Sequence, residues 1–372
     1  MPILITIIAF LLVLSVLVLI HEFGHFITAK RLGIKVEEFG FGFPPRVFFK
    51  KIGETIYSIN LLPIGGFVKL YGEDSAGGGS IKHSVNGEPG TINLKRAFFA
   101  RPIWQRGLIV LAGVIMNFVL AVVLISYLFS ARGVALPTEN VRIVEVTANS
   151  PAQNAGLQKG DEILLANDKK LKDTREFISL TKGNLGQEIS LKIKRGTDEF
   201  DLTVTPRKVY PKGEGPLGVA ISSVEIKKYP WYTAPFYGTL EAFKFSWMIL
   251  SGLGQMVYDG IIKGQKPAGV AGPIGVAELT GQAVSYGLDA TLWFVALLSL
   301  NLAVVNVLPI PALDGGRLFF IGIELVTRRK VSPRYEAMAH VVGLAVLLGL
   351  ILVITFFDLV RVISGQSLLP KM

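Results

Sequence analysis

Residues 21–25 read His-Glu-Phe-Gly-His. On a helix, residues four apart differ by about 40° around the axis, so His21 and His25 face one point and Glu22 sits one step round. Two imidazoles so placed can share a zinc ion, and the adjoining carboxylate can act on a water held there. Such an ion needs a third protein ligand, with the fourth position left for water. The chain has no cysteine, which excludes thiolate ligands, Cys nucleophiles and disulfides. Of the other histidines, His83 stands in a Gly-rich loop and His340 opens an apolar run, and both read as ordinary surface or interface residues. Asp314 is the better candidate. It ends the run Asn306-Val-Leu-Pro-Ile-Pro-Ala-Leu-Asp314 and is followed by Gly315-Gly316-Arg317. Pro309 and Pro311 break a helix there, and the glycines let the backbone turn and approach closely. The Asn306 amide can donate or accept hydrogen bonds at membrane depth, to a bound group or to a neighbouring helix. Asn117 and Asn301 read as interhelical hydrogen-bonding residues.

The elements that must position these groups are apolar. Of 372 residues, 51% are hydrophobic and 18% charged, with a mean hydropathy of +0.50. An ordinary soluble domain carries about 25% charged residues, so the chain reads as a polytopic α-helical membrane protein. Disorder and collagen are excluded by the same composition. Residues 3–20 form an apolar run of about 27 Å as a helix, enough to cross a bilayer core. Nothing basic precedes the run, so it is expected to be a retained span rather than a signal peptide. Further spans are expected at 108–129, 292–308 and 341–357, four transmembrane helices in all. Residues 236–262 include Glu241, Lys244 and Asp259 and read instead as an amphipathic interfacial helix. Residues 26–107 hold twelve Lys and Arg against six Asp and Glu, while residues 131–289 hold nineteen against seventeen. By the positive-inside rule the first segment and the 309–340 loop face the cytoplasm, with residues 131–289 and both termini outside. The net charge of +10 then reports orientation, and no nucleic-acid partner is expected.

For His21, His25 and Asp314 to meet, the first and third spans must run in one direction and end on one side. The loop charges give that orientation independently. The chain resembles the site-2 protease family, the intramembrane zinc metalloproteases of regulated intramembrane proteolysis, in its bacterial one-PDZ form. The motifs that carry the resemblance are HEFGH at 21–25, LLPIGGFVKLYGED at 61–74, AGVIMNF at 112–118, GPIGVAE at 272–278 and NVLPIPALDGGR at 306–317. One departure is Val114, where the family often has proline, so a straighter helix is expected there. The resemblance implies Zn2+ held by His21, His25 and Asp314, with Glu22 as general base and then general acid, and Asn306 on the substrate backbone. It also implies a bacterial inner-membrane protein, acting near the cytoplasmic face on single-span substrates such as anti-sigma factors and remnant signal peptides.

Around this core, residues 36–107 are expected to form a cytoplasmic or re-entrant β region, with short strands at 47–50, 55–61 and 67–71. Their turns fall at Ile52-Gly53-Glu54 and Pro63-Ile64-Gly65-Gly66. An unwound substrate span could add to the edge of such a sheet, with Gly66 and Phe67 as substrate-binding residues. Gly77-Gly78-Gly79-Ser80 reads as a flexible break. Residues 137–207 form an α/β unit that looks like a PDZ domain, extracytoplasmic and able to bind peptide ends. Its expected elements are strands at 142–146, 162–165, 188–194 and 200–204 and helices opening at Pro151 and spanning 171–180. Residues 208–290 are expected to be a linker carrying the interfacial helix, residues 1–35, 108–130 and 291–372 the span-bearing segments, and the lipid bilayer the surrounding partner. The competing reading is a catalytically silent PDZ-bearing adaptor or a metal-binding transporter. The complete set of His21, Glu22, His25 and Asp314 argues against the first, and the lack of internal repeats against the second.

Overall fold

The computed structural model of the protein describes residues 3–73, 94–211, 213–264 and 271–364; the Gly77–Ser80 break and His83 lie outside them. The chain divides into two compact units, Met1–Leu128 with Trp231–Met372, and Phe129–Pro230. Helix α1 runs Ile3–Arg31, well past the expected end of the apolar run. His21 and His25 therefore sit inside the helix, not at its terminus. Lys30 and Arg31 occupy its last turn, facing the negative end of the helix dipole, and Gly33 follows at φ +74°.

Strands β1 (Val36–Ile52) and β2 (Thr55–Leu70) pair antiparallel. Each is folded back along its length, so the sheet has four segments in the order 66–70, 36–41, 55–60, 46–52. The turn at Ile52-Gly53-Glu54 is as expected, with Gly53 at φ +62°. The segment 36–41 was not among the expected strands. Its alternation is masked by glycines and by Glu38, which is buried because Ser58 Oγ (2.7 Å) and Arg46 Nε (2.9 Å) donate to its carboxylate. Phe43, Val47, Phe48, Phe49 and Ile52 remain exposed, an apolar surface that suits lipid better than water. Helix α2 then runs Ile103–Ala131.

The second unit holds strand β3 (Val134–Val146), helix α3 (Pro151–Asn154), strands β4 (Glu162–Ala166) and β5 (Lys169–Lys170), helix α4 (Thr174–Gly183), and strands β6 (Ile189–Arg195), β7 (Asp198–Val204) and β8 (Val219–Lys227). Its sheet has the order β7-β6-β4-β3-β8, with β5 beside β4. Local signals explain the helices. Gln153 N–H donates to Ser150 Oγ at 3.2 Å to cap α3, and Gly156 turns away at φ +81°. Helix α4 opens later than the 171 start expected, because Asp173 caps it by accepting from Glu176 N–H at 2.8 Å. Asn167 and Asp168 both have positive φ, as the tight β4–β5 turn requires. Strand β6 buries Ile189, Leu191 and Ile193 at a period of two. Strand β8 corrects the linker reading of its residues, since Val134–Val146 pairs with it from Val134↔Lys227 to Val146↔Val219. Its Ser-Ser and Glu-Ile-Lys composition hid an edge strand whose partner lies far away in sequence.

The chain returns with helices α5 (Ala234–Ile262), α6 (Pro273–Ser285), α7 (Leu288–Val307), α8 (Asp314–Thr327) and α9 (Pro333–Ile363). Among the described helices, α1, α2, α7 and α9 are long and apolar enough to cross a membrane. Helix α5 packs beside two of them, with Phe243 against Phe118 (ring centroids 4.8 Å) and Phe245 against Trp293 (6.0 Å). Helix α6 meets the start of α1, where Gly281 lies against Thr6. In the C-terminal half of α1, His21 and His25 meet Asp314, which follows the end of α7, so the two helices run in the same direction.

One buried ion pair stabilises the second unit. Asp161 is fully buried and accepts from Arg195 Nε and Nη2, each at 2.7 Å, and from Gln158 N–H at 2.8 Å. Burial works against the carboxylate, but the Arg195 guanidinium and the Gln158 N–H outweigh it and hold its pKa below the usual range. The pair's stabilisation should therefore be complete above about pH 4 and lost as pH falls through the depressed native value. Asp161→Asn should weaken this unit by about 2 kcal/mol at pH 7, discounted for the partial exposure of Arg195. Amide exchange in β4 and β6 of the full-length protein checks this. Protection there equal to wild type would show that the pair contributes little.

Candidate metal centre

Helices α1 and α2 cross where neither can carry a side chain. A Cβ at Gly24 would collide with the Ala112 carbonyl oxygen and sit 2.8 Å from Met116 Cγ. A Cβ at Gly113 would run into His25 Nε2 and come within 2.7 Å of His21 Cε1. Small residues let membrane helices approach closely, and here the approach brings α2 onto the two imidazoles. His25 Nδ1 lies 2.8 Å from the Ile109 carbonyl oxygen. That geometry places the ring proton on Nδ1, donating to the carbonyl, and leaves the Nε2 lone pair free.

Asp314 arrives from the other side. Helix α7 ends at Val307, and the chain passes through Pro309 and Pro311 before α8 begins at Asp314. Gly315 lies on the Leu308 carbonyl, and a Cβ at Gly316 would be 2.6 Å from the Ile310 carbonyl oxygen. The glycine pair is therefore required by close packing of helix on loop. His21 Nε2 stands 2.9 Å from Asp314 Oδ2, His25 Nε2 stands 3.3 Å from the same oxygen, and the two Nε2 atoms are 3.2 Å apart. Tetrahedral zinc with bonds of 2.0–2.1 Å has ligand atoms about 3.3 Å apart. The three donors fit that ion, and Asp314 Oδ2 is buried without a hydrogen-bond partner among the described residues.

Glu22 lies beside the cluster, half-buried, and its Oε2 accepts from Val68 N–H at 3.1 Å. Strand β2 thus runs past the carboxylate, with Gly66 positioned so that a Cβ would be 3.8 Å from Glu22 Cγ. A cavity of about 440 Å³ opens here, and its walls include Glu22, His25, Phe67, Asp314, Arg317 and His340. Of the expected substrate contacts, Gly66 and Phe67 are therefore at the site. Asn306 is half-buried in the last turn of α7 and does not line the cavity.

Three further residues reach the site through contacts that the sequence could not locate. Asn117 is fully buried on α2 with Nδ2 3.4 Å from His21 Nδ1, and Ser299 Oγ donates to its carbonyl at 2.8 Å. Its Oδ1 has no partner among the described residues. A lone Asn in an apolar run was the available signal, but its neighbour could not be read from spacing. Arg317 pairs with Glu73 across the cavity. His340 touches the Asp314 loop from α9.

A family model for peptidase family M50 matches residues 9–350. The chain is 31% identical to the regulator of sigma-W protease RasP of Bacillus subtilis, with 96% of this chain and 98% of that protein covered. It is 30% identical to the zinc metalloprotease RasP of Oceanobacillus iheyensis, with 96% and 99% covered. Among solved structures, the PDZ domain of an SdrC-like protein from Listeria monocytogenes is 21% identical over 23% of this chain and 90% of that chain, at a TM-score of 0.21.

The crossing geometry makes a prediction of its own. Gly113→Val must push the two imidazoles apart, so Zn2+ affinity should fall at least about tenfold, as when a ligand's orientation is lost. Gly107→Ala, on the same helix with no atom nearer than Ile321 Cγ2 at 4.0 Å, should bind Zn2+ like the parent. Competition with a chromogenic chelator measures both. Equal affinity in the Gly113 variant would mean that the crossing does not set the ligand geometry.

Proposed function

The chain belongs to peptidase family M50, and from that premise we propose that His21, His25 and Asp314 hold the zinc ion of a metalloendopeptidase that cuts within membrane spans. The observation that carries this reading is the convergence of three donor atoms beside the Glu22 carboxylate. Zinc bound there supplies Lewis acidity, polarising the scissile carbonyl and acidifying the attacking water. Glu22 takes the proton from that water and returns one to the leaving amine, a general base turned general acid. Asn117 supports the ligand set when its amide presents Oδ1 to His21 Nδ1–H, which satisfies the buried oxygen and leaves Nε2 free for the metal.

A substrate span is helical, and its carbonyls are shielded by internal hydrogen bonds. Cleavage needs an extended backbone whose freed groups find partners away from water. The segment 66–70 is an edge of the β1–β2 sheet and runs beside Glu22, so it can receive the unwound stretch as an added strand. Gly66 and Phe67 on that edge, and Asn306 on the helix leading to Asp314, are the proposed substrate contacts. The regulator of sigma-W protease in B. subtilis favours single-span anti-sigma factors as one substrate class, with remnant signal peptides as a second.

Cleavage is proposed near the cytoplasmic face, with four crossings, the Phe129–Pro230 unit and both termini outside. That unit would meet peptide ends there as a PDZ domain. Single cysteines at Ser332 and Asn184 test the orientation with an impermeant thiol reagent on intact cells. Labelling is expected at Asn184 and absent at Ser332, and the reverse pattern would overturn the sidedness.

Glu22→Gln keeps the side-chain volume and the ligand set but loses the proton acceptor. It should retain about one zinc per chain and lose at least about 10²-fold in cleavage of a single-span substrate. Asp314→Ala should lose zinc and activity together. Cleavage near wild type in Glu22→Gln would remove the mechanism, and wild-type protein without zinc would favour the adaptor.

A further inference from the structure

Asp314 is delivered by a loop with little backbone support of its own. Pro309 and Pro311 have no N–H to donate. Leu308 N–H returns to Val305 O at 3.2 Å, Ile310 N–H to Leu308 O at 2.7 Å, and Leu313 N–H to Ile310 O at 3.2 Å. The remaining donor, Ala312 N–H, goes to a side chain on another helix: His340 Nδ1 on α9, at 2.9 Å. It is the one side-chain hydrogen bond to this loop among the described residues. Ala312 has φ +81°, a backbone region that a residue with a Cβ rarely adopts and holds only when its surroundings demand it.

Helix α9 meets the loop twice. Gly343, one turn beyond His340, lies against Pro311, where a Cβ would be 2.5 Å from Pro311 Cβ and 2.6 Å from its carbonyl oxygen. On the opposite side Gly315 and Gly316 press against Leu308 and Ile310. With Nδ1 accepting, the neutral His340 ring carries its proton on Nε2, and that atom is buried without a partner among the described residues. Leaving a buried donor unpaired is unfavourable, so the ring's presence is better explained by what its other nitrogen holds.

We propose that His340 is a positioning residue for Asp314, its Nδ1 fixing Ala312 in the left-handed conformation that turns the carboxylate two residues later towards His21 and His25. The proposal rests on the reading of Asp314 as a zinc ligand. It uses the imidazole only as an acceptor, with no change of protonation. An Asn side chain can place Oδ1 near the position of Nδ1, whereas Leu fills similar volume and accepts nothing.

The test uses purified full-length protein, with Zn2+ affinity read by chelator competition and kcat and KM read on a single-span peptide. His340→Leu should weaken zinc binding by about 10–100-fold, as loss of a partner supporting a ligand does. Its KM should stay near wild type at saturating zinc. His340→Asn should recover most of the affinity. Wild-type affinity in His340→Leu, or His340→Asn no better than His340→Leu, overturns the proposal. Asp314→Ala binding zinc as tightly as wild type would overturn the ligand assignment itself, and the proposal with it.

Discussion

The close crossing of α1 and α2 is the constraint on which the rest of the site depends. Gly24 and Gly113 remove the side chains that would hold the helices apart. Only at that distance can the Ile109 carbonyl reach His25 and the Asn117 amide reach His21. In hydrocarbon there is little hydrophobic drive between helices, so packing of small residues and a few polar contacts must set the register. The same contacts orient the imidazoles. Packing and chemistry are thus one requirement here, and a methyl group in the wrong place disturbs both.

Much of this was legible from residue types and spacing, and the limits have physical causes. The HEFGH spacing puts two imidazoles on one helix face whatever the rest of the chain does, because helical periodicity is local. Asp314 was reachable because span directions follow from the loop charges. Gly113, Ile109 and Asn117 were not readable as site residues, since their roles depend on the axial register between two helices. Strand segment 36–41 was hidden because Glu38 looks like a solvated residue until Arg46 and Ser58 bond to it. Strand β8 was hidden because its partner β3 lies some seventy residues earlier, on the order of distances where strand pairing leaves no local trace. A cap shifted the start of α4 by a few residues, at Asp173, whereas α1 runs on past its apolar stretch to Arg31 and α9 opens at Pro333, ahead of its own.

Two buried charged groups in the unit that carries the apolar helices each have a partner on another helix. Arg106 Nη2 donates to Glu324 at 2.7 Å, joining the start of α2 to α8. Asp358, buried on α9, accepts from Gly275 N–H at 2.7 Å, fixing the first turn of α6. Unpaired, such groups would be costly in hydrocarbon. Paired, they tie helices distant in sequence and limit sliding of one past another. The GPIGVAE stretch then has a structural task, since Gly272 lies against Asp358 and Ile354, where a side chain would separate α6 from α9.

The pairing of β3 with β8 has a different consequence. Val134 and Lys227 are partners at the open end of the ladder, so the chain enters and leaves the second unit one strand spacing apart, about 4.8 Å. A module with adjacent ends is an insertion in the architectural sense. It can be enlarged, duplicated or exchanged without changing the distance that the interrupted chain must bridge between α2 and α5. The two units can therefore diversify on separate evolutionary clocks, because the junction passes no length change from one to the other.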